Sequence, residues 1–199
     1  MGTKERPRLG CVVMAAGNAR RFGENKLAAA VEGKPLLRRA LEAVPAELFS
    51  RVCVVTQYRE GLALAREFGF QAVENRHPDW GISHTISLGL EAVRDCGGVL
   101  FQVSDQPLLR RESVEALVEL WLRQPEKIAA LGHGGVRGNP CLFPARFYPE
   151  LRALSEDHGG STVIRRHEAD LILLETAAAE LFDVDTPAAL EALQKEQDG

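Results

Sequence analysis

Short apolar runs rich in β-branched residues alternate along this chain with longer stretches whose apolar positions recur every three or four residues. The first kind predicts strands at Leu9–Ala15, Arg51–Thr56, Phe70–Val73, Val99–Ser104, Ile128–Leu131, Cys141–Phe143 and Leu171–Leu174. The second predicts helices at Lys34–Val44, Glu60–Phe68, Thr85–Arg94, Arg111–Arg123, Arg146–Leu154, Ser161–His167 and Thr186–Gln194. Ser83 or Thr85 is the expected cap of the third helix. Thr186 caps the last one, with Pro187 at its first position. The glycine-rich stretch Gly132–Pro140 reads either as a mobile loop over a site or as a plain connection.

Strand then helix, repeated, implies a mainly parallel sheet covered on both faces. Right-handed crossovers make this a Rossmann-like three-layer αβα sandwich. Ligands in such folds bind at the carboxyl ends of the strands, and the unusual residues of this sequence all fall just after predicted strands.

Composition narrows the function. A chain of 199 residues suits one domain with its own core. The net charge of −4 offers no basic field for nucleic acid. No apolar run nears the ~20 residues of a membrane span, so no membrane partner is expected and the chain reads as cytoplasmic. Cys11, Cys53, Cys96 and Cys141 form no CxxC pair and read as buried free thiols. His77, His84, His133, His158 and His167 lack zinc spacing, and no nucleophile signature such as GxSxG is present.

Four segments carry candidate chemistry. In the first, Ala15-Ala16-Gly17 follows a buried strand, and small residues there let backbone N–H groups approach phosphate oxygens. Arg21 and Lys26 add positive charge beyond it. The spacing satisfies neither GxGxxG nor GxxxxGK[ST]. In the second, an apolar strand ends at Asp105 and Pro107 turns the chain away, which suits a carboxylate holding a hard cation such as Mg²⁺ and, through it, a triphosphate. In the third, Asp183 and Asp185 point the same way if extended. Either could complete the cation site, and Asp185, nearest the next helix, is preferred. In the fourth, Gly81 and Ser83 precede a helix and would offer free N–H groups to a base or ribose. The neighbouring Trp80 is expected to be half-buried.

Taken in order, AAGNARRFGENK, GISHTISLGL, DQPL and DVDTP resemble the motif set of the MobA-like nucleotidyltransferase family, nearest within it to the cytidylyltransferases of the molybdenum cofactor. Gly138-Asn139-Pro140-Cys141-Leu142-Phe143-Pro144 and Glu156-Asp157-His158-Gly159-Gly160-Ser161 extend the likeness over nearly the whole chain. Ala19, Thr85, Asn139 and Ser161 depart from the usual family residues, the last two in the acceptor region.

The resemblance implies transfer of CMP from CTP to the terminal phosphate of a molybdopterin-type acceptor, with release of pyrophosphate. Alternatives are GMP transfer to the same cofactor, transfer to a sugar phosphate, or a non-catalytic cofactor carrier. Within the family AAG goes with cytidine and AGG with guanosine, and this chain reads Ala15-Ala16-Gly17. By the same resemblance, residues 1–199 form one domain, nucleotide-binding to about residue 107 and acceptor-binding beyond. Arg21, Lys26 and Asp105 are catalytic, and Ala15, Ala16, Gly17, Gly81 and Ser83 join them around the nucleotide. Asp105 and Asp185 hold Mg²⁺, and Asn139, Asp157, Gly159 and Gly160 meet the acceptor. A molybdoenzyme recipient is the expected protein partner.

Overall fold

Leu9–Ala15 is apolar on both of its alternating sides, as a strand covered on both faces must be, and it forms β1 at the middle of the molecule. A computed structural model describes residues 7–17, 29–31 and 33–197. In chain order these give β1, β2 (Ala30–Val31), β3 (Lys34–Pro35), α1 (Leu36–Glu42), β4 (Arg51–Thr56), α2 (Arg59–Glu67), β5 (Gln71–Glu74) and α3 (Ile82–Ala92). Then follow β6 (Gly98–Val103), α4 (Arg111–Arg123), β7 (Ile128–His133), β8 (Val136–Pro144), α5 (Tyr148–Arg152), α6 (Gly160–Arg166), β9 (Leu171–Glu175) and α7 (Pro187–Gln197).

The large sheet has the order β5-β4-β1-β6-β8-β7-β9. β8 runs antiparallel to both of its neighbours and the other pairings are parallel. The period of two along the strands divides the core between two layers. Cys11, Val13 and Ala15 pack with Leu37, Leu41, Ala65 and the α4 residues Val114, Leu117, Val118 and Trp121. On the opposite face Val12, Val55 and Phe101 pack with Ile86 and Leu90 of α3, Leu151 of α5 and Val163 of α6. The α4 spacing of i, i+3, i+4 and i+7 is the helical stripe read from the sequence. Gly89 brings α3 hard against β1, since a Cβ there would stand 2.4 Å from Val12. The three-layer αβα arrangement is therefore as expected, and the four cysteines are buried and free. Among the described residues no helix is long and apolar enough to cross a membrane.

Several local expectations need correction. The stretch Gly132–Pro140 is neither a lid nor a plain loop: Gly134 and Gly135 form a two-residue hairpin turn, both at positive φ (57° and 77°), as a turn matching the strand twist needs. Their N–H groups donate to the Glu175 carboxylate at 2.8 and 3.0 Å, which pins the hairpin to β9. β8 accordingly spans nine residues, far more than Cys141–Phe143. Helix α3 begins at Ile82, and neither Ser83 nor Thr85 caps it. Instead the Thr85 hydroxyl accepts from Asn75 Nδ2 at 3.1 Å. Lys34 and Pro35 precede α1 as a strand fragment. Thr186 does cap α7, its Oγ1 accepting from the Ala189 N–H at 3.1 Å.

Glu180 ties the segment after β6 to the segment after β9. Although only 2% exposed, its carboxylate accepts from the Arg110 backbone N–H (3.0 Å), Arg110 Nη2 (2.9 Å) and the Thr176 hydroxyl (2.6 Å). Burial pushes this carboxyl up, but the hydrogen bonds from Thr176, Ser113 and Arg110 outweigh it, and the group titrates below its ordinary 4.5. A depressed carboxyl adds stability that is present above pH 4.5 and is lost as the pH falls through the folded-state value. Glu180→Gln should therefore cost about 1.5–3 kcal/mol at neutral pH, with the gap from the native chain narrowing below pH 4.5. Urea unfolding at several pH values measures this, and a gap independent of pH would contradict it.

Candidate active site

The strand order reverses beside β1. From β1 the chain moves outward through β4 and β5, then returns to place β6 on the other side of β1. The loops leaving β1 and β6 therefore diverge, and a crevice opens at their carboxyl ends, where open α/β sheets bind ligands. Ala15, Ala16 and Gly17 leave β1 at this point, and Ser104 and Asp105 leave β6. Sequence reasoning required these two segments to share a cleft, and the register Met14↔Val103 places them side by side.

Side chains from adjacent strand ends hold the crevice in shape. Ser104 Oγ donates to the Met14 carbonyl at 2.9 Å, Gln57 Nε2 to the Ala16 carbonyl at 3.0 Å, and Tyr58 OH to the Gly17 carbonyl at 3.3 Å. Because the peptide is planar and trans, turning the Ala16 carbonyl towards Gln57 sends the Gly17 N–H the opposite way. Ala15 and Ala16 are themselves buried, while Gly17 is exposed. Arg21 and Lys26, expected to supply charge here, lie outside the described residues.

Asp105 is half-buried just past β6. Its carbonyl accepts from the Val184 N–H at 2.9 Å, and Gln106 Nε2 donates to Asp183 Oδ1 at 3.0 Å and to the Leu181 carbonyl at 3.4 Å. These contacts, with the Glu180 clamp behind them, stitch the Asp105 loop to the Asp183–Asp185 segment. The structure thus brings together the carboxylate-bearing segments that the sequence nominated from positions 78 residues apart (105 and 183). Asp183 lines a cavity with Gln106, and Asp185 is exposed nearby. Among the described residues no group of three or more His, Cys, Asp or Glu side chains is placed to hold a metal. A pair of carboxylates, with ligand phosphates completing the shell, is the donor set that Mg²⁺ often takes.

Two cavities flank β8. One, of about 290 Å³, is lined by Met14, Ile86, Phe101 and Phe143 together with Asn139, Gly159 and Gly160. The other, of about 480 Å³, is lined by Gln106, His133, Arg137, Asn139 and Asp183. Three of the four expected acceptor residues, Asn139, Gly159 and Gly160, therefore share a cavity wall. Asp157 is exposed and does not line it.

The reading of Gly81 and Ser83 as bearers of free N–H groups is overturned. The Ser83 N–H donates to the Glu156 carbonyl at 3.1 Å and the Gly81 N–H to the Pro78 carbonyl at 3.4 Å. Gly81 has φ +84°, and a Cβ on it would lie 2.3 Å from the Glu156 backbone. Glycine is thus explained by the close approach of the 155–159 turn. Trp80 is also not half-buried: it is 55% exposed, stacked on His77 with centroids 4.3 Å apart and edge-on to His84 at 4.8 Å. Burial and the neighbouring His77 hold His84 below the usual imidazole range.

Sequence reasoning missed Gln57, Tyr58 and Arg137. No motif marks the first two, which act through the order of strands. Arg137 lies inside the glycine-rich stretch Gly132–Pro140, which the sequence reads as a mobile loop or a plain connection.

A mainly parallel sheet with a reversed strand order, a small-residue loop and an acid at the reversal defines an αβα protein with a ligand crevice at its strand ends. Residues 11–171 match the model of the MobA-like NTP transferase domain, and the chain belongs to that family. It is 26% identical over 197 residues to the purine catabolism protein PucB of Bacillus subtilis, covering 92% of this chain and 95% of that one. It is 28% identical over 171 residues to a probable molybdenum cofactor guanylyltransferase of Thermococcus kodakarensis, covering 82% and 81%. The crystal structure of Rv0371c from Mycobacterium tuberculosis superposes with a TM-score of 0.80 at 18% identity, covering 96% of this chain and all of that one, a likeness of fold. The chain is accordingly a nucleotidyltransferase of MobA-like type.

The positive φ and the backbone contact at Gly81 predict that Gly81→Ala destabilises the chain by on the order of 2–4 kcal/mol. Thermal unfolding at constant pH measures it, and an unchanged midpoint would remove the packing account of this glycine.

Proposed function

We propose that the chain transfers CMP from CTP to the terminal phosphate of a phosphorylated, pterin-type acceptor such as molybdopterin, releasing pyrophosphate. The observation that supports this most is the adjacency of Gly17 and Asp105 at the strand-order reversal, beside a cavity that holds Asn139, Gly159 and Gly160. In this reading an acceptor phosphate oxygen attacks the α-phosphorus in line, and the bond to the β-phosphate breaks as pyrophosphate departs. No covalent enzyme intermediate is needed, so the barrier lies in charge and positioning. The Gly17 loop approaches the triphosphate through backbone N–H groups, with Arg21 and Lys26 neutralising the leaving pyrophosphate. Asp105 and Asp185, with Asp183 as the alternative second acid, fit a hard cation. These carboxylates would hold Mg²⁺, which would supply positive charge to offset that of the phosphates. Asn139, Asp157, Gly159 and Gly160 face the acceptor in this scheme, although only Asp157 is outside the cavity wall.

The cytidine preference rests on Ala16, whose methyl occupies room a purine would need. Guanosine transfer is the second reading, favoured by the relative named a guanylyltransferase. Pyrophosphate release measured with CTP, GTP, ATP and UTP, against molybdopterin and sugar phosphates, separates the readings. CTP with molybdopterin should be fastest. Faster turnover with GTP would replace the cytidine assignment, and no release with any nucleotide would leave a non-catalytic cofactor carrier.

Asp105→Asn should lower turnover by a factor on the order of 100 or more while leaving the circular dichroism spectrum unchanged. Near-native pyrophosphate release from that variant would take Asp105 out of the mechanism.

A further inference from the structure

Arg137 stands on β8 where the two cavities meet, and it lines both of them. It is half-buried, and among the described residues its guanidinium meets the Gly138 carbonyl and Cys141 Sγ, each 3.5 Å from Nη1. The contact to the carbonyl oxygen is at the limit of a hydrogen bond, and a thiol is a weak acceptor. Several arginines of the fold are paired with acids, as Arg110 is with Glu180, Arg146 with Asp170 and Arg111 with Glu115. Among the described residues no carboxylate pairs with Arg137. A partly desolvated cation without a directly paired carboxylate gains when an anion completes it, and its fork of donors matches phosphate oxygens two at a time.

The two cavities differ in a way that orients such an anion. The 290 Å³ cavity has Met14, Ile86, Phe101 and Phe143 on its walls, surfaces that suit a flat ring system. The 480 Å³ cavity leads past Arg137 to Gln106 and Asp183, next to the Asp105 loop. A molecule lying across the Arg137–Asn139 ridge would place its ring in the first space and its phosphate in the second.

We propose that Arg137 is the residue that receives the acceptor's phosphate, at the ridge between the two cavities. The assignment rests on the transferase reading given above. Arg137 holds the attacking phosphate and turns it toward the Asp105 end of the cleft, while nucleotide binding depends on the β1 loop instead. The carboxylate of Asp183 in the same cavity repels a bare phosphate, and Arg137 supplies the compensating charge.

The test titrates the full chain with inorganic phosphate and with a phosphorylated pterin, by calorimetry, in the native protein, Arg137→Met and Arg137→Lys. CTP and GTP titrations run in parallel, and circular dichroism checks the fold. Arg137→Met should weaken both phosphate probes at least tenfold and leave nucleoside triphosphate affinity within about twofold. Arg137→Lys should recover part of the loss. Unchanged affinity for inorganic phosphate in Arg137→Met, or no phosphate binding by the native chain, overturns the assignment. A tenfold loss of nucleoside triphosphate affinity also overturns it, by moving Arg137 into the nucleotide's own site. If inorganic phosphate binds through Arg137 and the pterin does not, Arg137 keeps its role and the pterin leaves the proposed function.

Discussion

A sheet whose strand order reverses cannot close both edges of its carboxyl end. With β4 and β5 on one side of β1 and β6 on the other, the loops after β1 and β6 must part, and backbone polar groups at their tips are exposed together. The rest of the site follows from keeping that opening in one shape. Ser104, Gln57 and Tyr58 take up the carbonyls of Met14, Ala16 and Gly17, so the β1 loop is held by the strands on either side of it. Rigidity of this sort is what lets a protein present N–H groups to charge without reorganising them.

The opposite wall is assembled from distant sequence. Glu180 gathers Arg110 and Thr176, Val184 donates to Asp105, and Gln106 donates to Asp183, so the segments after β6 and β9 behave as one unit. β8, the antiparallel strand, carries Arg137 and Asn139 between two cavities. Nucleotide chemistry on the parallel half and acceptor recognition around the antiparallel insertion is the division of labour this layout supports. Under the proposed function, binding of the two substrates falls on different elements, so affinity for one can change without affinity for the other.

The legible parts of the sequence were those in which one local rule decides. β1, β4 and β6 are built on apolar runs, α4 has a clean apolar stripe, and Asp105 follows the buried strand β6 two residues before a proline. Where tertiary contact decides, the reading failed. α3 starts at Ile82 because Gly81 must pass close to Glu156, a contact that sequence spacing does not contain. Composition alone makes Gly134 and Gly135 look like loop and shortens β8 to three residues, whereas the two form a hairpin turn and β8 runs Val136–Pro144. Arg137 lies in the same stretch, where no motif marks it. Gln57 and Tyr58 follow β4, and only the lateral order of strands reveals that they reach the β1 loop.

The central claim is tested most directly by a crystal structure of the chain with a nucleoside triphosphate and Mg²⁺. Phosphate density should lie between the Gly17 loop and Asp105, with the base on the β4 side of β1 or above it and the β8 cavities still open. A triphosphate seated on another face of the sheet, with Gly17 and Asp105 both unengaged, would contradict the account.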